Sequence, residues 1–398
     1  MTDRPSRRPT DRHLLAALLL ASGAMAACAA LPPPGTDGGE APRTPPPLEY
    51  RTERATLRVG EFASGLAHPW GLAFLPDGRL LVTERPGRLR IVDAQGRLSP
   101  PVTGVPEVYA RGQGGLLDVA VSPRFATDRT VFLSYAEPTE RGGRTAVARA
   151  VLDGQSLTAL RVIFRQTPDG SSGNHWGSRL VFDRDGNLFV TLGDRFTQRD
   201  GAQDLASHIG KVVRIRPDGS VPPDNPFVGR AGALPEIWSY GHRNVQGAAL
   251  DPRSGRLWTH EHGPQGGDEV NLTLPGRNYG WPVITTGREY GSGSKIGEGT
   301  ARADVEPPKL QWSPSIAPSG MAWYTADRIP GWKGALLVGA LGSQSLYRLQ
   351  VEGERVVRSE RLLHEMGHRI RDVRVGPEGD VWLLTDSPEG LILRVTAR

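Results

Sequence analysis

Leu72–Val82 reads Leu-Ala-Phe-Leu-Pro-Asp-Gly-Arg-Leu-Leu-Val, an apolar run, an Asp-Gly turn and a second apolar run. The chain repeats this plan in three further segments, Leu180–Val190, Ala248–Trp258 and Val373–Leu383. An Asp-Gly pair or one of its relatives favours a tight hairpin, because the turn needs a positive φ that glycine adopts without a steric penalty. Each segment therefore predicts two antiparallel strands joined by a short turn.

Two looser copies of the plan lie at Asp118–Ser134 and Met321–Val338. Repeats at intervals of roughly fifty to eighty residues are typical of the blades of a β-propeller with inserted loops. We therefore predict an all-β fold, a six-bladed β-propeller of four-stranded antiparallel blades, over residues 53–398. The alternative is a pair of β-sandwiches, which would use the same hairpin chemistry.

The N-terminus has the features of an export signal. Four arginines between residues 4 and 12 precede Leu14–Ala21, an apolar run that is too short to span a bilayer as a mature helix. Met25–Cys28 resembles the lipobox of bacterial lipoproteins. We predict a lipoprotein-type signal peptide at residues 1–27 and a periplasmic protein anchored by lipid at Cys28. An ordinary secretory signal, with the cysteine incidental, is the alternative.

Residues 28–52 are rich in proline and glycine and lack apolar periodicity, which predicts a disordered tether between the anchor and the propeller. Cys28 is the only cysteine, so no internal disulfide can form. The formal net charge is +5, and residues 1–27 carry four Arg and two Asp, so +3 remains on the rest of the chain. This excess forms no basic run, and we expect neither nucleic-acid binding nor membrane contact beyond the anchor.

Motifs that could carry chemistry stand just outside the repeated strands, where the loops of a propeller converge. They are Gly112–Asp118, Asn174–Arg179, Tyr240–Gly247, Glu261–Glu269 with Asn278–Pro282, and Arg369–Asp372. The Glu261–Glu269 stretch combines carboxylates with glycines that can turn backbone carbonyls inward, which is the ligand chemistry of a hard cation such as Ca²⁺. The alternative is a glycine-rich turn with a solvated acidic tip.

Taken together and in this order, the motifs resemble those of the soluble aldose sugar dehydrogenases that depend on pyrroloquinoline quinone (PQQ), a glucose/sorbosone dehydrogenase-like family. The resemblance extends from about Gly60 to Val395. It implies a six-bladed propeller that binds PQQ and Ca²⁺ and oxidises a small aldose at the anomeric carbon to a lactone. The electrons would pass on to an acceptor such as a cytochrome or the quinone pool.

The same resemblance implies that His175 is the general base. It would take the proton of the anomeric hydroxyl while a hydride moves to the quinone. Histidine suits this task because its pKa lies near the operating pH. Other histidines occur in the neighbouring motifs, and we expect them to form hydrogen bonds that orient the loops: His242, His260 and His262.

The residues that the resemblance implies as cofactor contacts are Gln113, Arg243, Asn244, Tyr290, Ala340, Leu341, Arg369 and Arg371. Arginine offers a planar fork of donors that matches carboxylates. Arg369 and Arg371 alternate along one strand and should face the same side. Relatives carry a lysine after the Gly-Ala-Leu segment, but this chain has Gly342 there. Either another arginine replaces that lysine or the cofactor is held more weakly.

Two calcium sites are also implied. The carbonyls of Gly263 and Pro264 would hold the ion that bridges to the quinone and acts on it as a Lewis acid. Glu269 and the carbonyl of Tyr279 would hold a second, structural ion, for which Asp268 is a weaker candidate. A calcium-dependent propeller hydrolase, such as a lactonase, and a non-catalytic propeller that binds a glycan or a protein are the alternative functions.

Overall fold

Antiparallel strands make up nearly all the regular structure of residues 48–398, the part of the chain that this computed structural model describes. The predicted signal peptide, the predicted anchor at Cys28 and most of the predicted tether lie outside the described residues. The helices are short: α1 (Phe125–Asp128) and two 3₁₀ helices at Arg199–Gln203 and His364–Met366. Among residues 48–398, no helix is long and apolar enough to cross a membrane.

The strands group in chain order into six sheets, after two N-terminal strands, β1 (Leu48–Arg51) and β2 (Thr56–Leu66). Blade 1 holds β3 (Pro69–Phe74), β4 (Leu80–Glu84) and β5 (Arg88–Val92), and blade 2 holds β6 (Leu116–Val121), β7 (Thr130–Thr139), β8 (Gly142–Asp153) and β9 (Ser156–Arg165). Blade 3 holds β10 (Leu180–Phe182), β11 (Leu188–Thr191), β12 (Lys211–Ile215) and β13 (Ile237–Tyr240), and blade 4 holds β14 (Val245–Leu250), β15 (Leu257–Glu261), β16 (Asp268–Leu272) and β17 (Leu310–Trp312). Blade 5 holds β18 (Pro318–Trp323), β19 (Leu336–Ala340), β20 (Ser345–Glu352) and β21 (Arg355–Leu362), and blade 6 holds β22 (Ile370–Val375), β23 (Val381–Thr385) and β24 (Gly390–Ala397) together with β2 and β1.

The inner strands β3, β6, β10, β14, β18 and β22 contact one another in a closed ring, so the predicted six-bladed propeller is confirmed. Strand β2 pairs with β24, which joins the two ends of the described chain in one blade and leaves no gap in the ring. Apolar side chains pack between adjacent blades, as Leu81 of blade 1 does with Val131 and Leu133 of blade 2. Each blade therefore buries its faces only with its neighbours in place.

The strand count differs from four in two blades. In blade 1, the segment after β5 completes the sheet through hydrogen bonds from the Ser99 N–H to the Ile91 carbonyl and from the Val102 N–H to the Leu89 carbonyl. In blade 6, β1 adds a fifth strand by pairing with β2. Leu48–Arg51 therefore belong to the folded domain rather than to the predicted tether, because their backbone groups are bonded into its sheet.

The repeated segments form the hairpin between the first and second strands of each blade, as predicted. The turn glycines Gly78, Gly186, Gly255 and Gly379 have φ values of 84°, 79°, 70° and 86°. These lie in the region that glycine occupies without strain. The two looser copies form the hairpins β6–β7 and β18–β19.

A register shift at the start of the inner strand recurs in five of the six blades. It falls between Pro69 and Leu72, Leu116 and Val119, Val245 and Gly247, Pro318 and Met321, and Ile370 and Asp372. Such a bulge re-aims the side chain within it. The bulged positions include Trp70, Leu117, Gln246 and Arg371, which all line one central cavity. The irregular strand starts thus build the walls of the candidate site.

Candidate active site

A cavity of about 370 Å³ lies at the centre of the ring, and every blade or the loop before it contributes a side chain. Its lining residues are Trp70, Arg85, Gln113, Leu117, Trp176, Gly177, Gln246, His262, Ala317, Leu341, Arg369, Arg371 and Asp386. Four of the predicted cofactor contacts, Gln113, Leu341, Arg369 and Arg371, are among them. Ala340 is buried within β19 in the apolar core of blade 5, so the structure places it beside the cavity wall and not on it.

One wall of the cavity is basic. Arg369 Nη2 and Arg371 Nη2 lie 3.2 and 3.3 Å from the same oxygen of Asp386, so both guanidinium groups face the same side. Arg371 Nη1 donates to Gln246 Oε1 at 3.0 Å, while Arg371 Nε is buried without a partner among the described residues. Burial lowers the pKa of Arg371. Burial alone would raise the pKa of Asp386, but the positive charges of Arg371 and Arg369 hold that pKa well below its usual range.

Arg85 brings a third guanidinium to this cavity, and sequence reasoning did not identify it. Its Nη1 donates to the Gly112 carbonyl at 2.5 Å, and its charge helps to lower the pKa of Arg371. Gly342, where relatives carry lysine, donates its N–H to the Ile316 carbonyl. A Cβ at position 342 would lie 2.9 Å from that carbonyl oxygen. The local backbone therefore leaves no room for a side chain there without a shift.

His175 is buried and adopts a left-handed backbone with φ of 55°. Its N–H donates to Gln113 Oε1 at 2.8 Å, and its Nδ1 lies 2.6 Å from Asp194 Oδ1. An ionised carboxylate only accepts hydrogen bonds, so Nδ1 carries the ring proton and Nε2 keeps its lone pair. Burial lowers the pKa of His175, against the opposing effect of the Asp194 hydrogen bond. The arrangement gives a neutral imidazole, the form that accepts a proton.

Asp194 is fixed from both sides and was not singled out from the sequence. Its Oδ1 also accepts the Phe196 N–H at 2.8 Å, and its Oδ2 accepts the indole N–H of Trp281 at 2.8 Å. The one signal in the sequence is its position in the loop that directly follows the second strand of blade 3. That loop lies beside Asn174–Arg179 because β10 and β11 pair as one hairpin, which brings the segment before β10 next to the segment after β11.

The three other histidines of the predicted motifs, His242, His260 and His262, differ in their surroundings. His242 contacts Glu261 Oε1 through Nδ1 and Ser239 Oγ through Nε2, both at 2.8 Å, which is the orienting role we expected. His262 lines the cavity and its Nε2 donates to the Pro318 carbonyl at 2.6 Å. For His260 the expectation was wrong, because its ring lies against Gly247 and neither nitrogen has a partner among the described residues. Burial lowers the pKa of His260 to about 3.

Arg243 and Asn244 connect the cavity with the Glu261–Glu269 segment, called the acidic loop below. Arg243 Nη1 donates to the carbonyls of His262 and Gly263 at 3.0 and 2.8 Å, and its Nη2 lies 3.3 Å from the Tyr290 hydroxyl. Asn244 Oδ1 accepts the N–H of Gly177, a cavity residue, at 3.2 Å. Asn244 Nδ2 is buried with no partner in residues 48–398. Buried donors normally find acceptors, so Asn244 Nδ2 and Arg371 Nε are donors that a bound anion could satisfy.

The acidic loop brings two carboxylates together. Glu269 accepts hydrogen bonds from Gln311 Nε2 at 3.0 Å and Asn271 Nδ2 at 3.2 Å, and Asn271 also bonds Glu261. Burial and the charge of Glu261 raise the pKa of Glu269 to about 8. Asn271 Oδ1 is buried without a partner. An excess of acceptor oxygens of this kind suits a hard cation.

The side chains of Asp268 and Tyr279 bond to backbone groups of the protein. Asp268 binds the N–H groups of Gly263, Ile316 and Ala317, so the weaker candidate ligand instead fastens the loop. The Tyr279 hydroxyl donates to the Leu272 carbonyl, so only its backbone carbonyl could face a cation. Within residues 48–398, no three His, Cys, Asp or Glu side chains form a metal-binding group. Any cation site here would depend on backbone carbonyls such as those of Gly263 and Pro264.

Comparison with known proteins is consistent with this geometry. The sequence model of the family described as Glucose / Sorbosone dehydrogenase matches residues 66–394. The chain is 48% identical over 350 residues to the aldose sugar dehydrogenase YliI of Escherichia coli (strain K12), covering 86% of this chain and 94% of that protein.

Two solved structures are similar along their whole length. A crystal structure described as glucose dehydrogenase is 52% identical with a TM-score of 0.84, covering 85% of this chain and 99% of the other. The PQQ-bound form of an aldose sugar dehydrogenase from Streptomyces coelicolor is 32% identical with a TM-score of 0.71, covering 86% and 99%.

Proposed function

The chain belongs to the glucose/sorbosone dehydrogenase family, and from this premise we propose that it oxidises aldoses at the anomeric carbon to lactones, with PQQ as cofactor and Ca²⁺ as its metal ion. The observation that carries the proposal is the hydrogen-bonded pair His175–Asp194 beside a cavity that three guanidinium groups line. A buried imidazole held in one tautomer suits a base, and a basic cavity suits an anionic cofactor.

The residues present fit PQQ, a planar ring that carries three carboxylates. Arg85, Arg369 and Arg371 outnumber the single carboxylate of the cavity, Asp386. The unpaired Asn244 Nδ2 supplies a further donor.

For Ca²⁺, the fitting groups are Glu269 with the carbonyl of Tyr279, and the carbonyls of Gly263 and Pro264. When bound, PQQ would take up the hydride of the anomeric carbon, and a cation beside it would favour that uptake by withdrawing electron density.

A side chain of the protein accepts the proton of the anomeric hydroxyl. The anomeric hydroxyl loses its proton to His175 Nε2, and the electron pair of that O–H bond forms the second bond of the lactone carbonyl as the hydride leaves carbon. Asp194 keeps the ring proton on Nδ1 and stabilises the imidazolium that forms, as a carboxylate does beside a catalytic histidine. Because His175 and Asp194 are buried, these charges act with little water to screen them.

Dye reduction on the purified protein tests the proposal. We expect an electron-accepting dye to be reduced only when PQQ, Ca²⁺ and an aldose are all present. A panel of aldoses that gives no PQQ-dependent reduction would overturn the proposal. Hydrolysis of lactones with Ca²⁺ alone would favour the propeller hydrolase instead.

Arg85 should contribute to cofactor binding. A charge-assisted hydrogen bond contributes about 1.5–3 kcal/mol, so Arg85→Ala should weaken PQQ binding by about 10- to 100-fold. The quenching of tryptophan fluorescence can report binding without turnover, since Trp70 and Trp176 line the cavity. Arg97→Ala is the matched control, because Arg97 is an exposed arginine of blade 1 paired with Asp93. An unchanged dissociation constant for Arg85→Ala would show that the cofactor is held without it.

Calcium should stabilise the folded protein through Glu269. A ligand present at about 100 times its dissociation constant adds about 2.7 kcal/mol to the free energy of unfolding, so excess Ca²⁺ should raise Tm by several degrees. Glu269→Gln should remove much of that rise, whereas Glu354→Gln, at an exposed carboxylate, should keep it. Thermal unfolding with and without Ca²⁺ measures the difference. Equal rises in all three proteins would exclude Glu269 as a ligand.

We further propose that the protein is exported to the periplasm and anchored through Cys28, with a cytochrome or the quinone pool as electron acceptor. The N-terminal sequence supports this proposal. Recovery of a Cys28→Ser variant in the membrane fraction at the level of the parent protein would contradict it.

A further inference from the structure

An exposed aromatic ring stands next to the proposed base. Phe196 is 45% exposed, and its ring meets that of His175 edge to face, with 5.2 Å between centroids and 81° between planes. Among the described residues, the large apolar side chains that remain exposed include only one other aromatic, Tyr290, which contacts Arg243. Both exposed aromatic rings therefore flank the candidate active site, and none lies elsewhere on the described surface.

The backbone displays this ring at a conformational cost. Arg195 and Phe196 have φ values of 54° and 63°, two successive non-glycine residues in the left-handed region. Side chains make this region unfavourable, and it persists where surrounding contacts impose it, often at ligand-binding sites. The contacts around the loop therefore hold Phe196 in a conformation that a side chain does not favour.

Two buried anchors hold the loop in place. The Phe196 N–H donates to Asp194 Oδ1. The guanidinium of Arg195 lies over the ring of Trp176, 3.1 Å from its centroid, and donates to the carbonyls of Asn174 and Ser172. The same two segments thus fix the base and the exposed ring, so their relative position is set.

The mouth between the two exposed aromatics is also bridged. Arg199 is in the 3₁₀ helix that follows Phe196, and Glu289 is the residue before Tyr290. Arg199 Nη1 lies 2.5 Å from Glu289 Oε1. This ion pair links the loop of blade 3 to that of blade 4. Phe196 and Tyr290 thus stand on two loops that this ion pair holds together.

We propose that Phe196 is the platform on which the C–H face of the aldose ring rests while its anomeric hydroxyl points to His175 Nε2. This inference rests on the proposed function. The face of an aromatic ring is electron-rich, and the axial C–H groups of a pyranose present a weakly positive, apolar face of matching size. Sugars whose face carries only axial hydrogens are the substrate class that this platform favours. An axial hydroxyl on that face would lift the ring from the platform.

Steady-state kinetics on the holoenzyme test the platform. Phe196→Ala should raise KM for aldoses about tenfold, which corresponds to about 1.4 kcal/mol, with kcat within about threefold of the parent. Phe196→Tyr should restore KM, and Phe196→Leu should restore it only in part. Val357→Ala removes an exposed apolar side chain from β21 as the matched control. An unchanged KM in Phe196→Ala, or a fall in kcat alone, would overturn the platform and leave Phe196 as a support for His175.

A second measurement separates this inference from the proposed function. Saturation-transfer NMR with glucose on the cofactor-free protein should show transfer to the ring hydrogens of the sugar, and Phe196→Ala should lose most of it. If the parent protein shows no turnover but this loss occurs, the dehydrogenase proposal fails and the platform stands. If the variant keeps the full transfer, the platform fails whatever the turnover.

Discussion

His175→Ala should lower kcat for aldose oxidation by about 10²- to 10⁴-fold, the range in which a positioned general base contributes. Asp194 fixes Nδ1 of His175, and the ring of His175 contacts the exposed ring of Phe196. Removal of the imidazole leaves the guanidinium groups in place, so we expect PQQ to bind with unchanged affinity. Single-turnover kinetics on the PQQ-loaded variant measure the effect.

The control for this variant is His364→Ala, because His364 lies in a 3₁₀ helix of the exposed surface and its side chain is 49% exposed. We expect it to retain the parent kcat. Full turnover in His175→Ala would exclude His175 as the base and leave His262, the histidine that lines the cavity, as the candidate.

Asp194→Asn should also lower kcat by about 10²-fold or more, because an amide no longer stabilises the imidazolium and can bind the wrong tautomer. Asp194 raises the pKa of His175 through its hydrogen bond and charge, while burial lowers it below 6.5 overall. The base works when neutral, so its rate falls as pH drops through the pKa of His175. Without the carboxylate that pKa drops further, and the acid limb of the pH–rate profile should move to lower pH.

Asp327→Asn is the matched control, since Asp327 is an exposed carboxylate paired with Lys333. Measurement of kcat/KM against pH for parent and variants separates the two roles of Asp194. A reduced rate with an unmoved acid limb would assign Asp194 to positioning alone. A parent-like rate at every pH would contradict its part in the proton transfer.

The repeated hairpins could be predicted because each one is a local event. Strand, turn and strand lie within about a dozen residues, and glycine marks the turn wherever φ must be positive. Arg369 and Arg371 do reach the same carboxylate, but not by alternation along one strand, because Arg369 precedes β22 and Arg371 lies in its bulge. Composition placed the start of the folded domain at residue 53, whereas β1 begins at Leu48, five residues earlier. The pairing of Leu48–Arg51 depends on β2, which no local pattern reveals.

The missed residues lie in the loops that follow the second strand of a blade, which no sequence pattern marks as part of a site. Asp194 meets His175, and Asp386 meets Arg371, across the first hairpin of a single blade. Arg85 of blade 1 shares the cavity with Arg371 of blade 6 only because the ring closes. Gln246 reaches the cavity because the register shifts at the start of β14. Asp268, which the family resemblance offered as a weaker candidate for the structural ion, instead accepts hydrogen bonds from three backbone N–H groups.

The central claim is that this chain moves a hydride from an aldose to a quinone bound in the cavity of the propeller. Anaerobic addition of glucose or another aldose to the PQQ-loaded, calcium-containing protein tests it in a single turnover. We predict that the absorbance of the oxidised cofactor disappears in proportion to the lactone formed, and that His175→Ala slows this loss without preventing PQQ binding. An absorbance that stays unchanged with every aldose, although PQQ is bound, would contradict the account.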